Sequence, residues 1–186
     1  MFSWTILPFY PPPAKLKFAL LPAFFLLALL WRPVDVLVMR AAPQPHGAPP
    51  PPVFQETAPL GQEVWTQYIH SVERTPVLDC YRVVNGRIWS WREYVRSHNA
   101  GLPFQKPVFG RFVMDAPWMI VEGGRHAWER LALRVGNAEL GRNAFAYCRG
   151  MPAEWRPLYE SHPGKRLLLE VERQPLLRTA GSRSPL

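Results

Sequence analysis

The sequence predicts an all-β fold, a small antiparallel sandwich or open barrel, preceded by an N-terminal hydrophobic helix. Short segments rich in β-branched and aromatic residues recur from residue 34 onward, and turn-forming residues separate them. An uncharged run over residues 18–31 predicts the helix. With 186 residues, 48% of them hydrophobic and 19% charged, the chain is expected to form one folded domain.

The first 33 residues are predicted to form a signal-anchor segment. Lys15 and Lys17 precede the apolar run, and Arg32 and Pro33 close it. A basic flank before a short apolar run is typical of a secretory signal. As a helix this run would measure about 21 Å, less than the roughly 30 Å of a bilayer core. An uncleaved short signal-anchor is the favoured interpretation, and a cleaved signal and a buried core helix are the alternatives.

The charges predict the location of the domain. Both lysines stand before the apolar run, so the positive-inside rule places the N-terminus in the cytoplasm. We therefore expect a single-pass protein of the cytoplasmic membrane, with its domain on the periplasmic, extracytoplasmic side. The formal net charge of +8 comes from scattered residues rather than a basic stripe, which argues against a nucleic-acid partner.

The domain is predicted to cover residues 34–175, with a flexible tail over residues 176–186. Residues 34–40 predict its first strand, and a proline-rich insertion with six prolines follows at residues 41–52. Further strands are expected at residues 63–70, 77–84, 87–95, 108–114, 118–121, 126–135, 144–148 and 166–171.

The strongest local signal is the pair Asn85-Gly86 between two strand-like segments. This pair suits a type I′ turn, which needs positive φ at both central residues, and so predicts a β-hairpin. Strict alternation along the second strand places one set of side chains on a single face: Ile88, Ser90, Arg92 and Tyr94.

The densest group of chemistry-bearing residues lies between two predicted strands. It comprises His70, Ser71, Glu73, Arg74, Thr75 and Pro76. In a loop these side chains can converge, with Glu73 orienting His70 by a hydrogen bond. We interpret the group as a ligand or partner contact. A structural turn, in which Glu73 and Thr75 satisfy backbone amides and His70 caps the strand end, stays open.

Two further interpretations of this group have less support. A serine nucleophile at Ser71 needs a base and an oxyanion hole, but His70 is its chain neighbour and no Gly-x-Ser-x-Gly elbow is present. A metal site drawn from His70, Glu73, Asp79 and His98 has no ordered ligand spacing. We therefore expect no enzyme activity, no metal and no cofactor.

A second candidate loop follows the predicted hairpin. Its residues are His98, Asn99, Gly101, Leu102 and Pro103. In a three-stranded meander this loop would lie at the same end of the sheet as the first group, because alternate connections of antiparallel strands share one end. The two loops are predicted to form one contact surface.

Cys80 and Cys148 are the two cysteines of the chain. Outside the cytoplasm they can form one disulfide between two strands. Each can equally be a small buried hydrophobic residue.

Residues 68–77, 81–83 and 100–104, with His-Ser-Val-Glu at residues 70–73 as the most specific stretch, resemble the small bacterial proteins of the DUF1850 family. The resemblance extends loosely from residue 34 to residue 171. Cys80 stands where the family has the second residue of an acidic pair, and Ser-His-Asn-Ala-Gly at residues 97–101 replaces Ser-Phe-Gly-Ala-Gly.

The resemblance implies a function as well as a fold. Proteins of this kind have a hydrophobic N-terminus before a β-rich domain and look like neighbours of TAXI-type TRAP transporters. The resemblance therefore implies a membrane-anchored extracytoplasmic accessory or binding protein. Its partner would be a TRAP-type permease or the solute-binding protein of that permease. A stand-alone periplasmic metal- or solute-binding module is the alternative, and a serine hydrolase is a more distant one.

Overall fold

The computed structural model describes residues 22, 24–43, 47–96, 109–123 and 126–179. Within these residues two antiparallel β-sheets pack against each other, and neither closes into a barrel. The predicted all-β class is confirmed, and the architecture is the sandwich.

The smaller sheet has four strands, which lie across the sheet in the order β2 (Pro52–Thr57), β1 (Pro33–Ala41), β12 (Arg166–Pro175) and β9 (Arg130–Arg134). The central pair, β1 and β12, is in continuous register from Pro33 opposite Pro175 to Ala41 opposite Leu167. β1 therefore has a partner strand on each side along most of its length.

The larger sheet follows the order β11 (Arg156–Pro157), β10 (Gly141–Tyr147), β3 (Gln62–Ile69), β4 (Pro76–Val84), β5 (Arg87–Val95), β7 (Trp118–Glu122) and β6 (Arg111–Asp115). The short strand β8 (Ala127–Trp128) also pairs with β5. The described helical segments are α1 over residues 24–30, α2 (Leu158–Ser161) and α3 (Leu176–Thr179).

The main hydrophobic core lies between the two sheets. The strands of the smaller sheet contribute Leu37, Met39, Phe54, Leu131, Leu167 and Leu169. The facing strands of the larger sheet contribute Val64, Tyr81, Val83, Ile88 and Phe145. Phe54 and Phe145 meet edge to face with ring centroids 4.9 Å apart. Removal of these side chains from water is the principal driving force that holds the sheets together.

The β4–β5 hairpin forms as predicted, because Asn85 and Gly86 both adopt positive φ, at 52° and 70°. The proline-rich insertion joins the neighbouring strands β1 and β2, so it is a loop within the domain rather than a tether. Strand β2 was not predicted. It begins at Pro52, which an edge strand tolerates at its first position because no partner there needs the missing N–H.

Two predictions about strand geometry are wrong. The segment 126–135 is not one strand: β8 pairs with β5 in the larger sheet, whereas β9 pairs with β12 in the smaller one. The alternation predicted along β5 also fails. Between Cys80 and Tyr81 of β4 the register shifts, so that Cys80 pairs with Arg92 and Tyr81 pairs with Ser90. The extra residue, Trp91, is a β-bulge, and a bulge reverses the faces of the residues that follow it.

Because of the bulge, Ile88 and Tyr94, which strict alternation would place on one face, lie on opposite faces of the larger sheet. Ile88 belongs to the core between the sheets. Tyr94 instead packs on the outer face of the larger sheet, in a second cluster with Trp65, Leu78, Cys80, Ile120 and Ala146. The larger sheet therefore carries an apolar cluster on each face.

The sandwich has two distinct ends. At the α1 end, Ala58 N donates to Asp35 O at 2.7 Å, Gly86 N donates to Asp35 Oδ2 at 3.2 Å and Leu176 N donates to Arg32 O at 3.1 Å. Strand β3 begins there and runs to Ile69 at the far end. At about 3.3 Å per residue, its eight residues span about 26 Å.

Segment α1 leads directly into β1. Trp31 N donates to Leu27 O at 3.0 Å, and Arg32 N donates to Leu29 O at 3.2 Å, so the helical turn continues to the first strand. The side chains of Phe24, Phe25, Leu26, Leu27, Leu29 and Trp31 are all exposed. Over the described residues, no helix has the length and apolar character needed to cross a membrane.

Candidate binding site at the β3–β4 turn

The group predicted from residue 70 onward is the turn between β3 and β4 at the far end. The pair Ile69–Pro76 closes the strand ladder. Two backbone hydrogen bonds then define the turn: His70 N donates to Thr75 O at 2.9 Å, and Arg74 N donates to His70 O at 2.9 Å. Arg74 adopts a positive φ of 55°, which reverses the chain direction.

The His70 imidazole holds this turn from inside. Its Nδ1 atom accepts hydrogen bonds from Val72 N at 3.3 Å and from Glu73 N at 3.2 Å. An acceptor role for Nδ1 requires the neutral tautomer with the proton on Nε2. Glu73 therefore contacts His70 through its backbone N–H, and not through its carboxylate as the sequence predicted. The ring pre-organises the turn.

The tip of the turn faces solvent. Ser71 and Arg74 are exposed, and Val72 has 70% of its surface exposed. Glu73, Thr75 and Pro76 are half-buried at the base. The Thr75 Oγ1 atom is buried, and it has no hydrogen-bond partner within the described part of the chain. Val72 is thus the large apolar side chain that this turn presents to solvent.

These contacts do not assemble the Ser71–His70 pair that a serine nucleophile requires. His70 Nδ1 is occupied by two backbone N–H groups, and no hydrogen bond joins the His70 ring to Ser71 among the described residues. No group of three or more His, Cys, Asp and Glu side chains able to hold a metal ion lies within the described ranges.

The second predicted loop lies outside the described residues. The predicted loop residues are His98, Asn99, Gly101, Leu102 and Pro103. Its point of departure is described: β5 ends at Val95, which pairs with Met119 and packs in a cluster with Val77 and Tyr68. Val77 directly follows the β3–β4 turn, so the chain leaves β5 at the same end of the sheet as that turn.

The two cysteines are free thiols in the structure. Cys80 lies on β4, and Cys148 directly follows β10, so strand β3 lies between them. Two strand spacings separate their backbones by about 10 Å, beyond the roughly 7 Å that a disulfide can bridge. Burial raises the pKa of the Cys80 thiol to about 12, with a further contribution from Glu63.

A buried charge network on the outer face of the larger sheet was missed at the level of sequence. Glu63 accepts hydrogen bonds from Arg82 and, at 2.8 Å, from Gly150 N. Burial alone would raise the pKa of Glu63, but these hydrogen bonds outweigh it and lower the pKa. Arg82 also lies over the Trp91 ring, with its guanidinium carbon 4.3 Å from the centroid. The β-bulge that places Trp91 there has no signal in the local pattern.

An acidic pair on the inner face was also missed. Asp79 on β4 and Glu93 on β5 are directly opposite each other. Together with burial, which is the largest cause, both carboxylates raise the pKa of Tyr68, to about 12. The bulge at Trp91 sets Glu93 opposite Asp79, and strict alternation along the hairpin does not predict that register.

Comparison with known protein families identifies residues 64–147 as a match to one family, a domain of unknown function (DUF1850). The chain therefore contains a DUF1850 domain over these residues. The match is narrower than the resemblance expected over residues 34–171. No curated protein and no solved structure matches the chain at a significant level.

The DUF1850 match covers the part of the sandwich that carries the candidate site. It runs from β3 through the β3–β4 turn and the hairpin to the end of β10. Strands β1, β2 and β12, which build most of the smaller sheet, lie outside it. The match thus centres on the larger sheet and the β3–β4 turn.

Proposed function

We propose that this DUF1850 protein is a membrane-anchored extracytoplasmic accessory protein that presents its β3–β4 turn to a membrane-transport partner. The observation that carries the proposal is that the two ends of the sandwich differ. The exposed apolar segment α1 lies at one end, and the pre-organised turn lies at the other, about 26 Å away along β3. A domain anchored at its α1 end would hold the turn away from the membrane surface.

The side chains of α1 support the anchoring part of this proposal. Six large apolar residues between 24 and 31 are more than half exposed. In water such a row of side chains is unfavourable, at about 25 cal/mol for each Å² of apolar surface. A bilayer removes that cost for the chain segment that lies next to β1.

The turn itself supports the recognition part. Its backbone is closed by hydrogen bonds at both ends, and the His70 ring holds its interior. A pre-organised contact loses little conformational entropy on binding, so more of its interaction energy contributes to affinity. Val72 at the tip offers the apolar group that a partner pocket can bury.

The partner class comes from the resemblance to DUF1850 proteins. It is a TAXI-type TRAP permease or the solute-binding protein that delivers solute to such a permease. In either case the contact would lie on the extracytoplasmic side of the cytoplasmic membrane, where the turn would stand.

Co-purification from detergent tests the proposal. The full chain is expressed with the permease and its solute-binding protein, and the recovered partner is quantified. Val72→Glu is expected to lower recovery about tenfold, because a buried apolar contact at an interface is worth more than 1 kcal/mol. Met114→Glu is the matched control, since Met114 is as exposed as Val72 but lies on the edge strand β6, away from the β3–β4 turn. Recovery that is equal for wild type and Val72→Glu would contradict the proposal.

A further inference from the structure

The α1 end of the sandwich carries a surface that the proposed turn contact does not use. Three large apolar side chains are exposed there: Trp31 after α1, Leu60 in the β2–β3 loop and Leu177 in α3, with 62%, 76% and 53% of their surfaces exposed. They come from three separate parts of the chain. Their convergence at one end of a folded domain is therefore a property of the tertiary structure.

The same end is basic. Arg32, Arg173 and Arg178 are all exposed there. Arg173 pairs with Asp35 at 3.4 Å, whereas no carboxylate in the described part of the chain lies within salt-bridge distance of Arg32 or Arg178. The nearby Arg87 is paired with Glu129 at 2.9 Å. The net charge of this surface is positive.

A cleft of about 630 Å³ opens between these groups. Leu29, Pro33, Leu60 and Leu176 contribute apolar walls, and Arg32 and Arg173 line it as well. Apolar walls with guanidinium groups at the same opening match the boundary between lipid acyl chains and headgroups, where Trp and Arg are favoured.

We infer that the α1 end is a lipid-contacting surface that lies on anionic phospholipid headgroups and orients the domain on the membrane. The inference rests on the proposed anchoring, because α1 brings this end to the bilayer. It adds a second contact that α1 alone does not supply. Continuity with the apolar segment and the positive charge together favour an anionic bilayer over a protein partner. A single helix leaves the domain free to tilt, whereas the additional apolar contacts of Leu60 and Leu177 restrict its orientation.

Hydrogen exchange of the full chain in nanodiscs tests the inference. The nanodiscs are made of phosphatidylcholine with or without phosphatidylglycerol, and exchange is followed for residues 58–62 and 176–179. We expect these amides to exchange at least about fivefold more slowly in the anionic nanodiscs, because each arginine near an anionic surface contributes about that factor in affinity. The β3–β4 turn should exchange equally in both.

Two variants complete the experiment. Leu60→Glu combined with Leu177→Glu is expected to abolish the slower exchange, whereas Val72→Glu at the far end is expected to preserve it. If the chain enters nanodiscs but residues 58–62 exchange equally in both lipids, the inference is overturned and the anchoring proposal stands. If the chain does not enter nanodiscs at all, both are overturned.

Discussion

The Glu63 carboxylate and the Arg82 guanidinium meet across β3 and β4, with Glu63 Oε1 2.8 Å from Arg82 Nη2 and 3.1 Å from Arg82 Nε. Only 7% of the Glu63 side chain is exposed. The second carboxylate oxygen accepts from Gly150 N, so the same side chain ties the loop after β10 to the sheet. One buried acid thus connects three segments of the outer face.

Replacement of this acid should destabilise the domain. Glu63→Gln retains the shape but removes the charge that both hydrogen-bond donors use, and we expect it to lower the free energy of unfolding by about 2 kcal/mol. Glu129→Gln provides the control, because Glu129 forms an exposed pair with Arg87 that should contribute less than about 1 kcal/mol. Urea unfolding of both variants measures the difference. Equal losses in the two variants would show that burial does not strengthen the Glu63 pair.

Acid should lower the free energy of unfolding by protonating hydrogen-bonded carboxylates such as Glu63 and Glu122. Hydrogen bonds from Arg111 and Arg92 lower the pKa of Glu122 below its ordinary 4.5, and the pKa of Glu63 is lowered as well. Such carboxylates bind protons more readily in the unfolded chain. The stability they contribute is therefore complete above about pH 4.5 and is lost as the pH falls through the lowered pKa values.

The corresponding measurement is urea unfolding at a series of pH values from neutral to about pH 3. We expect the free energy of unfolding to decline below about pH 4.5 and the decline to be shallower in Glu63→Gln. An identical pH dependence in wild type and variant would exclude Glu63 as a source of the acid sensitivity.

The role of the His70 ring as a hydrogen-bond acceptor can be tested by substitution. His70→Ala removes the acceptor for Val72 N and Glu73 N and should lower the free energy of unfolding by about 1 kcal/mol. His70→Asn supplies a side-chain oxygen that can accept the same amides in an Asx-type turn, and it should recover most of that loss. Thermal and urea unfolding of both variants test this. If His70→Asn is as unstable as His70→Ala, the ring acts through packing instead.

Thiol labelling should distinguish the two cysteines. Cys80 is buried with a pKa of about 12, whereas Cys148 is only half-buried. A thiol reagent at about pH 8 should label Cys148 first and leave Cys80 unreacted until the protein unfolds, because the thiolate is the reactive form. In urea, both should react without prior reduction. Reaction only after reduction would show that a disulfide links them in the isolated protein.

The parts of the fold that the sequence predicted are those with a strong local signal. Asn85 and Gly86 favour positive φ whatever surrounds them, so the hairpin was predicted to its ends. The buried run of β1 was found for a similar reason, since Val36–Met39 is apolar throughout and fully buried. In both cases local preference and tertiary structure agree.

The parts that were missed depend on contacts distant in sequence. The bulge at Trp91 arises from register with β4, and it decides that Arg92 and Tyr94 face outward. The Glu63 network joins residues 63, 82 and 150, which no local pattern connects. At the candidate site, the sequence placed residues 70–75 between two strands, as the structure does, but it did not predict the use of the His70 ring as an acceptor for backbone amides. Tautomer and hydrogen-bond partners follow only from the turn conformation.

The position of β1 at the centre of the smaller sheet restricts how the chain can be processed. A peptidase that cut beside the small residues Ala41 and Ala42 would remove the strand that pairs with both β2 and β12. The remaining polypeptide would lose Leu37 and Met39 from the core between the sheets, and β2 would lose its partner strand. Proteolytic maturation compatible with this architecture must therefore cut ahead of Pro33.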